Sequence, residues 1–298
     1  MGLYYSTIEW ESTPTKRTES GYWFDKEIIE KYSIPNDKYV EEHLIPQLEE
    51  LVTNYQPALI FSDGGEWDQD ENYWKTKEFL AWLYNNAPNK NEVVVNDRWA
   101  KGITGKHGDY FSSEYEDTDA VGTEHPWEES RGVGGSYGFN RDENIDDYST
   151  SEELIHELVE IVSRGGNLLL NVGPTADGRI PVIMQQRLVD IGEWLKVNGE
   201  AIYGTRPWKK SKDYKLENTY FTTKSKDLFV ICTKWPENNI KIKHLENIDN
   251  IKVQLLGYED EIKWKITNNE IIIEPPLMSL SKIPCNYAYV FKIRNCIK

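Results

Sequence analysis

Acidic and basic side chains stand within three residues of the end of a short apolar run at two points in this sequence. Asp63 comes after the run at 58–61, and Arg98 comes after the run at 92–95. A buried strand that ends on an acid presents its carboxylate at the rim of a sheet or barrel. The two glycines after Asp63 would let the backbone turn sharply or let a ligand approach closely. The alternative is that Asp63 only caps a turn, as aspartate often does.

Glu128, in the stretch at 125–130, is the second candidate carboxylate. Two carboxylates at one rim suit glycoside hydrolysis, in which one attacks the anomeric carbon and the other donates a proton and then activates water. The pKa values of the two groups must then be held apart. Trp127 could raise the pKa of Glu128 by desolvation, and Arg98 could keep a nearby carboxylate ionised or hold a sugar hydroxyl.

Strand and helix patterns alternate four times in the first two thirds of the chain. The strand patterns cover residues 2–6, 58–61, 92–95 and 167–172. The helical patterns begin near residues 37, 71, 150 and 181, and Pro46 should bend or break the first of them. Such alternation predicts parallel β/α units. Residues 11–36 and 100–148 are expected to be loop-rich.

The pattern changes after residue 206. Short alternating apolar segments divided by turns predict an antiparallel β-sandwich. The predicted fold is therefore α/β, a partial (β/α)8 TIM-like barrel over residues 1–206 followed by a β-sandwich domain over 207–298. Only about half of the eight β/α units of such a barrel are present, so the sequence predicts half a barrel.

Charge and composition exclude several classes of function. The net charge of −16 argues against nucleic acid and against an anionic membrane surface. No apolar run could span a membrane, and residues 1–10 lack the features of a signal peptide. The three cysteines fit no zinc spacing, and the acids at 63–70 lack the spacing of an EF-hand. We therefore predict no metal and no cofactor.

Several ordered motifs carry a family resemblance. PALIFSDGGEWDQDENYW, EVVVNDRW, HPWEES and GGNLLLNVGPTADGRI resemble the α-L-fucosidases of glycoside hydrolase family 29, most closely the animal enzymes. The resemblance covers essentially the whole chain. It implies a retaining exo-glycosidase that removes terminal α-L-fucose from fucosylated glycans or glycoproteins through a covalent glycosyl-enzyme. It also implies a lysosomal or secreted homo-oligomer.

The resemblance assigns roles to individual residues. It implies that Asp63 is the nucleophile and that Glu128 is the acid/base. The animal pattern Lys-Trp-Glu-x-Cys stands here as Pro-Trp-Glu-Glu-Ser, so Glu129 is an alternative acid/base. One extra glycine follows Asp63. The expected substrate-binding residues are Tyr5, Phe61, Arg98 and Trp127, with Phe61 at a position where tryptophan is commoner in the family.

The family's first barrel strands and their histidine motifs have no counterpart in this sequence. The chain is therefore expected to be the C-terminal part of a fucosidase: a truncated product, a partial gene product or a fragment. This motivates a second hypothesis, a catalytically inactive fragment that only binds sugar or a partner subunit, because half a barrel leaves sheet edges open. A third hypothesis is a glycosidase of the same architecture with a different sugar specificity.

Overall fold

The computed structural model describes residues 1–8, 38–67, 69–115, 125–208, 217–243, 245–268 and 270–297. The predicted loop at 11–36 lies outside the described residues. Internal contacts divide the chain into two compact units, Met1–Ser112 with Glu124–Trp127 and Ser113–Thr123 with Glu128–Lys298. This division differs from the predicted domain boundary between residues 206 and 207, which stays a prediction.

A three-stranded parallel sheet forms the centre of the first unit. Its strands are β1 (Gly2–Ser6), β2 (Leu59–Asp63) and β3 (Val94–Val95), in the order β1-β2-β3. The register pairs Ser6 with Asp63, so β1 and β2 end at the same edge. The strands at 2–6 and 58–61 were predicted nearly as found, whereas β3 is shorter than its apolar run.

Two helices accompany this sheet. A π-helical turn (Val40–Leu44) leads into α1 (Ile45–Tyr55), and α2 covers Thr76–Asn85. Pro46 lies in the first turn of α1, directly after the π-helical turn. Leu44 and Ile45 both keep right-handed helical φ and ψ, so Pro46 marks a change from π-helical to α-helical geometry, and the predicted bend or break stays a prediction. The buried side chains of this unit include Leu44, Leu48, Val52, Phe79 and Leu83, which form one core with residues of β2 and β3.

A second three-stranded sheet consists of β4 (Phe111–Glu114), β5 (Trp127–Gly132) and β6 (Gly166–Asn171), in that order. The chain passes between the two units within β4 and β5. Both strands lie in the stretch predicted to be loop-rich. Their sequences, FSSE and WEESRG, contain almost no apolar alternation, so no periodic signal marks them.

The helices of the second unit are α3 (Ser151–Ser163) and α4 (Val182–Asn198). A capping box begins α3: the Thr150 side chain accepts from the Glu153 N–H at 3.1 Å, and the Glu153 carboxylate accepts from the Thr150 N–H at 2.8 Å. Short 3-10 turns lie at Ile145–Asp147 and Gly199–Ala201.

Two antiparallel sheets follow. Their strands are β7 (Arg206–Pro207), β8 (Thr219–Lys224), β9 (Asp227–Cys232), β10 (Ile240–Lys243), β11 (Lys252–Leu255), β12 (Trp264–Thr267), β13 (Glu270–Ile273) and β14 (Tyr289–Arg294). One sheet has the order β11-β14-β9-β8-β7 and the other β10-β13-β12. A further 3-10 turn lies at Leu280–Lys282. The predicted β-sandwich is confirmed.

The larger antiparallel sheet is covered on both faces. In β9, Leu228 and Val230 belong to the core shared with β10 and β13. Phe229 and Ile231 belong instead to a core with side chains of α3 and α4. Because side chains alternate along a strand, the apolar run of β9 supplies both cores.

All three cysteines lie in the described part of the chain, and all are free. Burial raises the pKa of the Cys232 and Cys296 thiols to about 12. Within the described residues, no group of three or more His, Cys, Asp or Glu side chains could hold a metal ion. The helices described here are all too short or too polar to cross a membrane.

Candidate active site

The double glycine after β2 fixes the direction of the chain beyond Asp63. Gly64 has φ +88°, and a Cβ there would lie 2.8 Å from Ile8 Cδ1. A Cβ on Gly65 would lie 2.8 Å from the backbone carbonyl oxygen of Trp99 and 2.9 Å from that of Arg98. Gly64 thus lets the turn pack against the chain after β1, and Gly65 lets it pack against the chain after β3.

Asp63 is the last residue of β2, and two side chains hold its carboxylate. The Tyr4 hydroxyl donates to Oδ2 at 2.6 Å, and Arg98 Nη1 donates to Oδ1 at 3.2 Å. The Asp63 side chain is 22% exposed. Both oxygens therefore accept a hydrogen bond while the side chain stays open to solvent, which suits a group that must meet a substrate.

Arg98 is itself oriented by Asp97 through a serine. Arg98 Nε donates to Ser112 Oγ at 2.8 Å, and Ser112 Oγ donates to Asp97 Oδ1 at 2.7 Å. The N–H groups of Ser112 and Gly105 also donate to the Asp97 carboxylate. Asp97 is fully buried, so its role in this unit is to fix the segment that carries Arg98.

Asn96 joins the ends of β2 and β3. Its Oδ1 accepts from the Ser62 N–H at 2.9 Å and from Ser62 Oγ at 3.0 Å, and its Nδ2 donates to the Ser62 carbonyl at 2.8 Å. Both residues are fully buried. After β3, Asn96 therefore joins the ends of β2 and β3, Asp97 holds the following loop, and Arg98 contacts Asp63.

Phe61 and Tyr4 form an aromatic surface beside Asp63. Their ring centroids are 5.9 Å apart in a stacked arrangement, and the Arg98 guanidinium carbon lies 5.4 Å from the Phe61 ring centroid. Phe61 is 7% exposed and Tyr4 is 63% exposed. The accessible aromatic face at this point is thus that of Tyr4, which packs on Phe61.

Tyr5, the tyrosine that the sequence singled out, lies on the other side of β1. Its hydroxyl donates to Gln47 Oε1 at 2.9 Å, and its ring packs on the core of the unit. The structure does not bring Tyr5 to Asp63, and the sugar contact expected of Tyr5 stays a prediction. The register of β1 and β2 pairs Tyr4, not Tyr5, with Phe61, and the sequence alone does not report that register.

Glu66 is a second carboxyl group next to Arg98. Its Oε1 lies 3.9 Å from Arg98 Nη1, and its side chain is 16% exposed. Its Oε2 is buried and has no hydrogen-bond partner among the described residues. The pKa of Glu66 is raised to about 7, chiefly by burial and also by the charge of Asp63, against the opposing effects of backbone N–H groups and of Arg98.

In the second unit, the two adjacent acids of β5 have different surroundings. Glu129 is 0% exposed. It accepts from Ser113 Oγ and, at 2.7 Å, from Arg131 Nε, and the same Nε lies 2.8 Å from Glu157 Oε1. Glu128 is half-buried. Neighbouring side chains of a strand point to opposite faces, and Glu129 lies in a buried ion-pair network with Arg131 and Glu157.

Trp127 and Asn171 lie in β5 and β6 of the second three-stranded sheet. Trp127 is fully buried, and Asn171 donates through Nδ2 to the Tyr137 carbonyl at 2.6 Å. Asp63, Phe61 and Arg98 are brought together within the first unit. Glu128 belongs to the second unit. The catalytic roles of Asp63 and Glu128 and the sugar contact of Trp127 stay predictions.

Comparison with known families matches both parts of the sequence. Residues 1–200 match the model of the alpha-L-fucosidase family, and residues 211–294 match that of the alpha-L-fucosidase C-terminal domain. The chain belongs to the alpha-L-fucosidase family. The family resemblance of the motifs is thereby confirmed.

Animal alpha-L-fucosidases are among the relatives. The tissue alpha-L-fucosidase of Homo sapiens is 36% identical over 295 residues, which are 98% of this chain and 61% of that protein. The plasma alpha-L-fucosidase of Homo sapiens is 38% identical over 303 residues, covering 100% of this chain and 62% of that protein. The chain thus spans about three fifths of the length of these relatives.

Solved alpha-L-fucosidase structures share the fold. The Thermotoga maritima alpha-fucosidase, solved with a mechanism-based inhibitor, gives a TM-score of 0.69 at 32% identity, over 91% of this chain and 60% of that one. Alpha-L-fucosidase isoenzyme 1 from Paenibacillus thiaminolyticus gives 0.77 at 24% identity, over 98% of this chain and 70% of that one. The predicted fold, a partial (β/α)8 barrel followed by antiparallel sheets, is confirmed.

Proposed function

We propose that this chain carries the catalytic carboxylates of an α-L-fucosidase, a retaining exo-glycosidase that releases terminal α-L-fucose from glycoconjugates. The observation that carries the proposal is the Asp63 carboxylate. It stands at the end of a parallel strand, with one oxygen bound by Tyr4 and the other by Arg98, and it remains partly exposed. Membership of the fucosidase family supports the choice of sugar.

The proposed reaction has two steps. An Asp63 oxygen attacks the anomeric carbon as the bond to the leaving-group oxygen breaks, and Glu128 gives its proton to that oxygen. Water then attacks the covalent fucosyl-enzyme while Glu128 takes the proton of the water, which releases fucose and restores Asp63. The two inversions at the anomeric carbon give net retention.

Glu128 is the better candidate for the acid/base than its neighbour. Glu129 already accepts from Ser113 and Arg131 and is fully buried, so protonating it would break a buried ion pair. Glu128 is half-buried. We therefore assign proton transfer to Glu128 and a structural role to Glu129.

The partners of the reaction follow from the family. We propose fucosylated glycans or glycoproteins as substrates, self-association of the chain, and a lysosomal or secreted location. Arg98 is proposed to hold Asp63 and a sugar hydroxyl, with Phe61 behind the aromatic surface that meets the sugar. Light scattering of the purified chain tests the self-association.

The decisive experiment measures turnover of a chromogenic aryl α-L-fucoside by the purified chain and by Asp63→Ala. We expect turnover by the unaltered chain, at least a 10³-fold loss in the variant (an order-of-magnitude figure), and partial rescue by azide, which replaces the missing nucleophile. Asp146→Ala, which changes an exposed acid in a 3-10 turn, is the matched control. Product NMR should show the α-anomer first.

Three outcomes would contradict the proposal. Ordinary activity of Asp63→Ala removes Asp63 from the mechanism. A first-formed β-anomer excludes retention. Absence of turnover by the unaltered chain, together with measurable fucose binding, favours the inactive sugar-binding alternative. A panel of other aryl glycosides tests the hypothesis of a different sugar specificity.

A further inference from the structure

Two carboxyl groups share one cation beside the proposed nucleophile. Arg98 Nη1 lies 3.2 Å from Asp63 Oδ1 and 3.9 Å from Glu66 Oε1. The Nε of the same guanidinium is already bound to Ser112. The same Nη1 atom therefore faces both acids, and a shift toward one of them takes it away from the other.

We propose that Glu66 is a positioning residue for the reaction: its protonated form leaves Arg98 to Asp63, and its ionised form competes with Asp63 for the guanidinium. The inference rests on the proposed function, because it takes Asp63 to be the nucleophile. Glu66 thereby sets the range of pH over which Asp63 is held in its attacking position.

The geometry of Glu66 favours the protonated form at the lower end of that range. A buried carboxylate oxygen without a hydrogen-bond partner is costly, whereas a neutral carboxyl group pays a smaller desolvation penalty. Glu66 Oε2 is in this situation among the described residues. The raised pKa of Glu66, about 7, agrees with this geometry.

The charged groups that face Glu66 come from two elements. Asp63 at the end of β2 repels a negative charge on Glu66, and Arg98 after β3 attracts it. The backbone N–H groups of Gly64 and Glu66 itself act in the same direction as Arg98. Ionisation of Glu66 would place two negative charges beside one guanidinium, so the two acids are coupled through Arg98.

The test must separate Glu66 from the acid/base, which also titrates. A dinitrophenyl α-L-fucoside has a leaving group that departs without a proton, so Glu128→Ala should still form the fucosyl-enzyme from it. In this background, kcat/KM reports the attack by Asp63. We would measure it from pH 5.5 to 9 with Glu66 intact and with Glu66→Gln, which imitates the protonated form. Glu78→Gln on α2 is the matched control.

We expect kcat/KM of Glu128→Ala to fall about tenfold between pH 6 and pH 9, and that of Glu66→Gln/Glu128→Ala to change less than about twofold. Glu66→Asp should restore an alkaline fall. Equal pH profiles with and without Glu66→Gln overturn the inference, because a structural role alone would lower activity equally at every pH.

A second readout does not depend on turnover. The carboxyl carbon of Glu66 in a 13C-glutamate-labelled chain should titrate near neutrality, and Asp63→Asn should lower its midpoint because one negative charge is removed. A midpoint unchanged by Asp63→Asn overturns the coupling. If the unaltered chain never turns over, the proposed function fails, whereas an unchanged alkaline limb in an active chain defeats only the role of Glu66.

Discussion

Arg98 and Arg131 each serve two carboxyl groups, yet the two clusters differ. Arg131 Nε contacts Glu129 at 2.7 Å and Glu157 at 2.8 Å, and Ser113 adds a further donor to Glu129. Arg98 approaches its acids at 3.2 and 3.9 Å. Burial raises the pKa of the second acid, Glu157 or Glu66, in both clusters. The clusters thus share composition and differ in how completely their oxygens are bound.

The difference separates a cluster built for stability from one built for a ligand. In the Arg131 cluster the buried Glu129 has both oxygens paired, so a ligand could gain nothing there. In the Arg98 cluster one acid is partly exposed and the other has an oxygen without a partner among the described residues. Incomplete pairing of this kind costs stability and is typical of functional sites.

The largest change in stability should come from a substitution in the Arg131 cluster. Glu129→Ala leaves Ser113 and Arg131 with less than their full set of partners in a buried site, and we expect a loss of about 3–5 kcal/mol in the free energy of unfolding. Urea unfolding measures it. Asp63→Asn in the Arg98 cluster should change the free energy of unfolding by less than about 1 kcal/mol. Equal losses in the two variants would erase the distinction between the clusters.

The next largest change in stability should come from the glycine turn beside the Arg98 cluster. Gly65→Ala places a Cβ 2.8 Å from the Trp99 carbonyl oxygen, and we expect a loss of about 1–3 kcal/mol because backbone must move. Gly192→Ala, inside α4 with nothing within 4 Å, should stabilise by about 0.5–1 kcal/mol. Thermal unfolding compares the two. A neutral Gly65→Ala would show that the turn is not held against the chain after β3.

A pH-dependent effect should come from Glu66. Its pKa is about 7 in the folded chain against 4.5 as the ordinary value, so the unfolded chain ionises first as pH rises. The free energy of unfolding therefore falls as the pH rises from about 4.5 to about 7, and this loss stays constant above pH 7. Relative to its effect at pH 4.5, Glu66→Gln should therefore stabilise the chain at pH 8 by about 1–3 kcal/mol.

Melting temperatures at the two pH values measure this difference, and Glu78→Gln on the exposed face of α2 is the control. A Glu66→Gln variant whose melting temperature shifts equally at both pH values would mean that Glu66 is ionised normally in the folded chain. The Arg98 cluster would then contain no acid whose charged form is disfavoured by burial, and it would differ less from the Arg131 cluster.

The smallest effect tests the donor to Asp63. Tyr4→Phe removes the 2.6 Å hydrogen bond to Oδ2, and we expect kcat/KM on an aryl α-L-fucoside to fall about tenfold with little change in melting temperature. Tyr55→Phe, an exposed tyrosine at the end of α1, is the control. A larger loss in Tyr5→Phe than in Tyr4→Phe would favour the tyrosine expected from the family resemblance.

Local signals made much of the fold predictable. The capping box of α3 and the apolar runs of β1 and β2 depend on residues close in sequence. The strands β4 and β5 were not predictable in this way. Their polar sequences become strands through pairing with other segments, and single-sequence periodicity cannot report that pairing.

The site was predictable to a similar extent. A carboxylate after an apolar run indicated Asp63, and the next strand end indicated Arg98, which the structure brings into contact with it. The roles of Asn96 and Asp97 depend on buried hydrogen bonds to residues outside their own stretch. The choice of Tyr4 over Tyr5 depends on strand register, and the open oxygen of Glu66 depends on the whole turn.

The three free thiols provide an internal reporter for the C-terminal sheets. Because burial holds the pKa of Cys232 and Cys296 near 12, hardly any thiolate exists on either at neutral pH. A thiol-reactive dye should therefore label these two positions only at the rate at which the sheets open, and Cys285, which is less buried, should react first. The rate of labelling, followed by mass spectrometry, would measure how often the C-terminal sheets open locally.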